Sequence, residues 1–267
     1  MQDYEVTRKL WDGRIPVQFV LDKLEFMQCT AKPFYVNFTV VVPEMSYFPL
    51  ILPRVLQYFS TVVDSFDTSS VWLQYNSKPL KWHYPVGLLF DLLKADHLLP
   101  WTIVLRTKDF PMEVMQCKGN DLESLYIQSV KEADQLKHKG KIISSMKVDE
   151  CRLLWSSILH DKFDEFWAIN KKLMGTSESD PLFHVPIRIH EVASDDCPFR
   201  QPLITPYNES GEAHTIADAL KSVNIEYQLP VISHSVKVPL STPLTWMLQN
   251  LSYLDNFIHI IVRRSKC

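Results

Sequence analysis

The amino-acid sequence predicts an α+β fold in which two small mixed sheets, each crossed by helices, flank a helix-rich middle. Three observations carry this. Both ends of the 267-residue chain hold apolar runs of strand length, rich in β-branched and aromatic residues. The middle switches to helical spacing, with an acidic residue ahead of each apolar stretch. A six-residue pattern, S-x-P-L-x-W, occurs as Ser77–Trp82 and again as Ser241–Trp246, an offset of 241 − 77 = 164 residues, each time before a leucine-rich helix and a closing strand.

Residues 1–12 read as an N-terminal helix and 13–107 as the first sheet domain. Its strands are expected at 14–21, 34–42, 71–75 and 101–106, with helices near 49–59 and from Pro85 to Leu93. Residues 108–120 and 177–184, rich in Pro, Gly, Ser and charge, read as linkers. Between them, 121–176 form the helix-rich domain: Asp121 is placed to cap a helix running to about Met146, Asp149 a second through His160, and Asp161 a third ending at Gly175. Residues 185–267 repeat the first theme. Strands fall at 185–192, near Leu203, at 231–238 and 257–263, with a helix capped by Thr215 and Asp218 and another through Trp246. A mixed sheet of about 80 to 95 residues crossed by a helix is what a ubiquitin-like β-grasp needs, and both ends are assigned to it.

Composition narrows the function. With 46% hydrophobic residues the chain can bury a core, and a formal net charge of −3 argues against a protein built to neutralise nucleic-acid phosphates. No apolar run reaches the length needed to span a bilayer, and Met1–Glu5 lacks the basic start of a signal peptide, so a cytoplasmic location is expected. Five widely spaced cysteines fit neither a disulfide framework nor a zinc signature; the sequons at Asn37, Asn208 and Asn250 are read as chance matches. His184 and His190 lie near Cys197 without metal-site spacing, and phosphate-cradling or nucleophile motifs are absent. No cofactor, metal or catalytic residue is assigned.

On the first middle helix, at about 100° per residue, Leu122, Leu125, Tyr126, Ala133, Leu136 and Ile143 gather into one stripe. Lys131 then points about 180° away, with Ile127, Asp134 and His138 beside it on the face expected to be exposed. Spacing alone makes Lys131 an ordinary helix lysine. The helix Pro85–Leu93 has scarcely a polar side, so its outer face must meet either the protein's own helical domain or a partner.

Three long runs, Lys78–Leu93, Val130–Lys139 and Phe163–Met174, closely resemble the autophagy protein five family, and the similarity extends from Leu10–Pro16 to Leu251–His259. The resemblance implies two ubiquitin-like domains around a helical one. It also implies that Lys131 receives the C-terminus of a ubiquitin-like modifier, autophagy protein twelve, in an isopeptide bond, with Ile127, Asp134 and His138 as modifier contacts. A helix of the coiled-coil autophagy protein sixteen is expected in a groove assigned regionally to Val6, Leu10, Trp11, Val86 and Phe90. The complex would then act like an E3, engaging E2-like conjugating enzymes transiently to lipidate a second ubiquitin-like protein at the phagophore membrane. Two rival readings stand beside it: an enzyme with an unfamiliar site, and an unmodified adaptor that only holds a partner helix.

Overall fold

A computed structural model describes residues 3–26, 36–63, 68, 70–94, 98–117, 120–175, 181–192, 198–225 and 231–263. The chain divides into two compact units. One comprises residues 13–119, the other residues 1–12 together with 120–267.

In the first unit, β1 (Arg14–Leu21) turns Ile15, Val17, Phe19 and Leu21 into the core, and the residues between them outward. It pairs antiparallel with β2 (Asn37–Pro43) and parallel with β5 (Trp101–Arg106), and β5 pairs antiparallel with β3 (Trp72–Tyr75). A tight turn at Asn76–Ser77, both at positive φ, joins β3 to β4 (Lys78–Pro79); such turns match the twist of paired strands. The order is β2-β1-β5-β3-β4. Short α2 (Lys23–Phe26) brings the carboxylate of Glu25 to the end of the sheet, where it accepts from Arg106 Nε (2.5 Å), Thr107 N and Thr107 Oγ1. Helices α3 (Phe48–Val62) and α4 (Val86–Leu93) close the core, in which Phe48 and Phe90 pack against Trp101 at 5.7 and 5.4 Å. Each buried aromatic there contributes roughly 1.5–3 kcal/mol by leaving water.

The stretch expected to be a linker after β5 is packed on this unit. Val114 is in its core, Phe110 and Cys117 lie against it, and the indole N–H groups of Trp72 and Trp82 donate to the carbonyls of Lys108 and Met115. Tryptophan N–H groups buried in a core need acceptors, and this segment supplies two.

In the second unit the C-terminal sheet repeats the topology. Here β6 (Ile187–Val192) pairs antiparallel with β7 (Phe199–Arg200) and parallel with β10 (Ile258–Arg263), and β10 carries β8 (Val231–Ser233) and β9 (Val236–Val238), giving β7-β6-β10-β8-β9. Helix α9 (Ile216–Ser222) starts at a reciprocal cap in which Thr215 N donates to Asp218 Oδ2 at 2.8 Å, as the sequence predicted; α10 (Leu244–Asn250) starts at Pro243. The expected single strand 231–238 is a hairpin turning at His234–Ser235, both at positive φ.

The internal repeat is therefore real, but its register is not that of the shared letters. The two hairpin turns lie 234 − 76 = 158 residues apart, and the capping prolines of α4 and α10 lie 243 − 85 = 158 apart. In the 164-residue match, Pro79 is in a strand whereas Pro243 caps a helix.

Among the described residues, five helices complete this unit. Asp3 caps α1 (Tyr4–Trp11) by accepting from Glu5 N and Val6 N. The first middle helix stops earlier than its apolar spacing suggests. Lys139 and Gly140 both adopt left-handed backbone, ending α5 (Asp121–His138) and starting α6 (Lys141–Ser145). Helices α7 (Val148–Leu159) and α8 (Phe163–Met174) follow. The acids expected as caps sit inside or beside these ends instead: the N-caps are Asn120, Lys147 and Lys162, and at α7 it is Glu150 that accepts from Lys147 N at 2.9 Å.

Candidate functional site

Helix α5 carries the candidate lysine. Leu122, Tyr126, Val130 and Ala133 face inward, with Tyr126 against Trp155 of α7 at 5.6 Å between ring centroids. Lys131 is exposed and Ile127 half-buried on the outer side, as the helical spacing predicted.

Asp134 and His138 require correction. Asp134 is fully buried and His138 is 1% exposed, because the chain folds back at Lys139–Gly140 and covers this face of the last turn of α5. Asp134 accepts from Ile143 N (2.9 Å) and from His138 Nδ1 (2.8 Å), while His138 Nε2 lies 3.1 Å from the carbonyl of Gly175 at the end of α8. Burial disfavours the Asp134 carboxylate, but the hydrogen bonds from His138 and Ile143 outweigh it and hold its pKa below the usual range. These two side chains brace a helix corner and are not available to a modifier.

Lys137, one turn beyond Ala133 on the inward side of α5, is 1% exposed. Its Nζ donates to the carbonyl of Leu173 (2.6 Å), in the last turn of α8, and to Asn256 Oδ1 (2.8 Å). Burial pushes its pKa down to about 7, with Asp134 and Asp255 acting in the opposite sense. Asn256, at positive φ just before β10, donates in turn to Asn170 Oδ1 at 2.8 Å. One lysine thus ties α5 to α8 and to the C-terminal sheet. Backbone bonds from Phe183 and His184 to the carbonyls of Lys137 and Leu136 secure the same turn.

A second tie starts beside Lys131. Glu132 accepts from Arg188 of β6 at 3.1 Å; Arg188 lies 3.6 Å from Asp255 and stacks over Phe257 at 3.7 Å. Asp255 faces His259 Nε2 (3.0 Å), and His259 Nδ1 faces His190 Nε2 (3.0 Å). A carboxylate accepts, so His259 donates to it from Nε2. Burial, then His259 and Arg188, depress the pKa of His190 well below the ordinary histidine range. This histidine pair is a buried polar seam of a sheet. Cys197, near which His190 was weighed as a ligand, lies outside the described residues, and among the described residues no cluster of three metal-ligating side chains occurs.

The groove assignments change as well. Val86 is fully buried and Phe90 is 9% exposed, and both belong to the core of the first sheet. The residues on the opposite side of α4 are Leu88 and Leu92, which are also buried. Trp11 is 3% exposed, its ring 5.7 Å from Phe163 and 5.0 Å from Phe166 of α8. Only Val6 and Leu10, half-buried on α1, keep open apolar surface. Periodicity on eight residues of nearly uniform hydrophobicity cannot tell which side of α4 meets its own sheet.

Comparison with known proteins places the whole chain. Residues 10–107 match the family model for Autophagy protein ATG5, UblA domain, residues 119–176 its alpha-helical bundle region and residues 184–262 its UblB domain. The chain is 35% identical to Autophagy protein 5 of Drosophila melanogaster, over 97% of each chain. It belongs to the autophagy protein 5 family. Autophagy-related protein 5 of Caenorhabditis elegans is likewise 35% identical, over 97% of this chain and 98% of its own. The crystal structure of Kluyveromyces marxianus Atg5 shares the fold with a TM-score of 0.83 at 20% identity, covering 97% of this chain and all of that one. Membership in the autophagy protein 5 family makes the two β-grasp sheets ubiquitin-like domains on either side of a helical bundle. No helix of the described residues is long and apolar enough to cross a membrane.

Proposed function

We propose that this chain is a conjugation scaffold in autophagy whose acceptor is Lys131. The observation that carries the reading is the placement of Lys131: an exposed amine in the middle of a helix whose far end is immobilised by Lys137, Asp134 and His138. A rigid helix presents the nucleophile in one orientation, which a bulky thioester-charged enzyme requires. The modifier is the ubiquitin-like autophagy protein twelve, joined through an isopeptide bond, with Ile127 offering apolar contact beside it. The chain has no catalytic role of its own; E2-like enzymes supply the chemistry. The conjugate binds a coiled-coil helix of autophagy protein sixteen, for which Val6 and Leu10 remain as half-exposed contacts. Recruited from the cytoplasm to the phagophore membrane, it acts like an E3 to promote transfer of a second ubiquitin-like protein to phosphatidylethanolamine.

The test is Lys131→Arg in a reconstituted conjugation reaction and in cells. Arginine keeps charge and helix propensity but its guanidinium stays protonated, so conjugate and downstream lipidation are expected to vanish while stability changes by no more than about 0.5 kcal/mol. Lys139→Arg and Lys141→Arg, both at exposed positions, should conjugate normally. Lys137→Arg is not a neutral control, because its site is closed around a single ammonium. A Lys131→Arg chain that still runs at the summed mass refutes the acceptor assignment. A wild-type chain that binds the partner helix without ever being modified would make it an unconjugated adaptor.

A further inference from the structure

The surroundings of Lys131 carry a further step, which rests on its being the acceptor. Side chains three and four positions away on a helix are the ones that reach a given residue. For Lys131 these are Ile127, Gln128, Asp134 and Gln135: a hydrocarbon, two neutral amides and one acid. That acid is withdrawn, since the Asp134 carboxylate is buried and taken by Ile143 N and His138. The adjacent acid is diverted, since Glu132 is held by Arg188 at 3.1 Å and by Gln128 Nε2 at 3.3 Å. On α7, the helix packed beside it, Cys151 feels the charge of Lys131, but burial pushes its thiol pKa upward and leaves it neutral at physiological pH. The other acids there are occupied: Glu150 is paired with Lys172, and Asp149 lies 3.5 Å from Arg152. Among the described residues Lys131 has no ion-pair partner.

We propose that this acid-free surround is a rate-enhancing device for the conjugation step. With Asp134 and Glu132 drawn away, the Lys131 ammonium loses its proton without breaking a salt bridge. The neutral amine then adds to the carbonyl of the E2-bound modifier's thioester; the carbon–sulfur bond breaks, an amide forms, and the enzyme's thiol leaves with a proton released by the nitrogen. Asp134 and Arg188 touch neither the thioester nor the modifier. They are positioning residues, acting by keeping carboxylates off the nucleophile.

The experiment restores the missing acids in the full-length protein. Single-turnover discharge of preformed E2-like thioester is followed at saturating acceptor, at pH 7 and low salt, for the wild type, for Gln128→Glu with Gln135→Glu, and for Gln128→Lys with Gln135→Lys. An exposed helix pair shifts an equilibrium by about twofold, so two acids should slow conjugation at Lys131 by about fourfold. The melting temperature should stay within about 2 °C, as for ordinary surface changes. At 1 M salt, where screening acts over about 3 Å, the gap should close, and the lysine variant should react no more slowly than the wild type. A glutamate variant that reacts at the wild-type rate, or is slowed equally at high salt, or a lysine variant slowed to the same extent, overturns the device and leaves the acceptor assignment standing. A wild-type chain that forms no conjugate at Lys131 overturns the assignment and the device together.

Discussion

Replacing Asp134 separates a structural brace from a modifier contact, and the outcome follows from its bonds. In Asp134→Ala the amide of Ile143 and the Nδ1 of His138 both lose their acceptor in a region closed to water. A buried polar group left without a partner costs about 1–3 kcal/mol, so the pair amounts to roughly 2–6 kcal/mol, more than a surface contact residue would show. In a unit of this size each kcal/mol moves the midpoint by about 2–4 °C, which gives a fall on the order of 10 °C in the transition of the helical and C-terminal unit. Asp134→Asn behaves differently. Its carbonyl oxygen can still accept from Ile143, and its amide can donate to His138 Nδ1 once that ring carries its hydrogen on Nε2 alone, still donating to Gly175. All partners remain satisfied, and the loss is the difference between charged and neutral hydrogen bonds, about 1 kcal/mol. Differential scanning of the full chain, with conjugation measured well below each midpoint, checks the ladder. Normal melting of Asp134→Ala together with lost conjugation would show that Asp134 contacts the modifier after all and that its buried bonds count for little.

Val86→Asp with Phe90→Asp places two carboxylates in the core of the first sheet and should unfold that unit, visible as loss of circular dichroism and rapid proteolysis, before any partner binding is tested. Acid should weaken the second unit: burial depresses the His234 pKa to about 4, its ring stacked 3.9 Å from Tyr253 and near His259, so stability present above about pH 6.5 is lost as pH falls toward 4, by roughly 3 kcal/mol, with His190 acting in the same direction. The first unit should respond oppositely, since burial, and then Asp91, raise the Glu44 pKa to about 7 against a weaker pull from Arg14. Its stabilising protonated form is lost as pH rises from about 4.5 through 7, and Glu44→Gln should flatten that slope in urea titrations across the same range.

What the sequence made legible follows the strength of its local signals. Strands β1 and β5 alternate or run apolar between clear breaks, and both were placed to the residue. Helix ends were placed less well, because Asp121, Asp149 and Asp161 look like caps but the decisive events are the left-handed turn at Lys139–Gly140 and the backward reach of Glu150. The same turn explains why the exposure expected of Lys131 holds and that expected of His138 does not. A helical wheel assumes the helix continues, so it describes the middle of α5 and fails at its last turn. Val86 and Phe90 failed for another reason: on a helix whose single charged residue, Asp91, is itself buried, the sequence carries no mark of which side its own sheet takes.

The two ubiquitin-like domains share a strand order but not a burial pattern. In β5 the sequence Trp-Thr-Ile-Val-Leu-Arg alternates, with Trp101, Ile103 and Leu105 buried and Thr102 exposed. In β10 the equivalent Ile-His-Ile-Ile-Val-Arg is buried at every position from Ile258 to Val262. A strand that hides both faces needs cover on both, and β10 has it: Ile258, Ile260 and Val262 pack with α9 and α10, while His259 on the other face joins the seam that runs through Asp255 and Arg188 to Glu132 of α5. Duplicated topology has thus been put to two uses. The second sheet belongs to the same compact unit as the helix that bears Lys131, so that helix is tied to β6 and to the turn before β10 as well as to its own bundle. The residues that achieve this, Lys137, Arg188, Asn256 and His259, are polar, buried or nearly so, and sit on segments far apart in sequence, which is why no local pattern announced them.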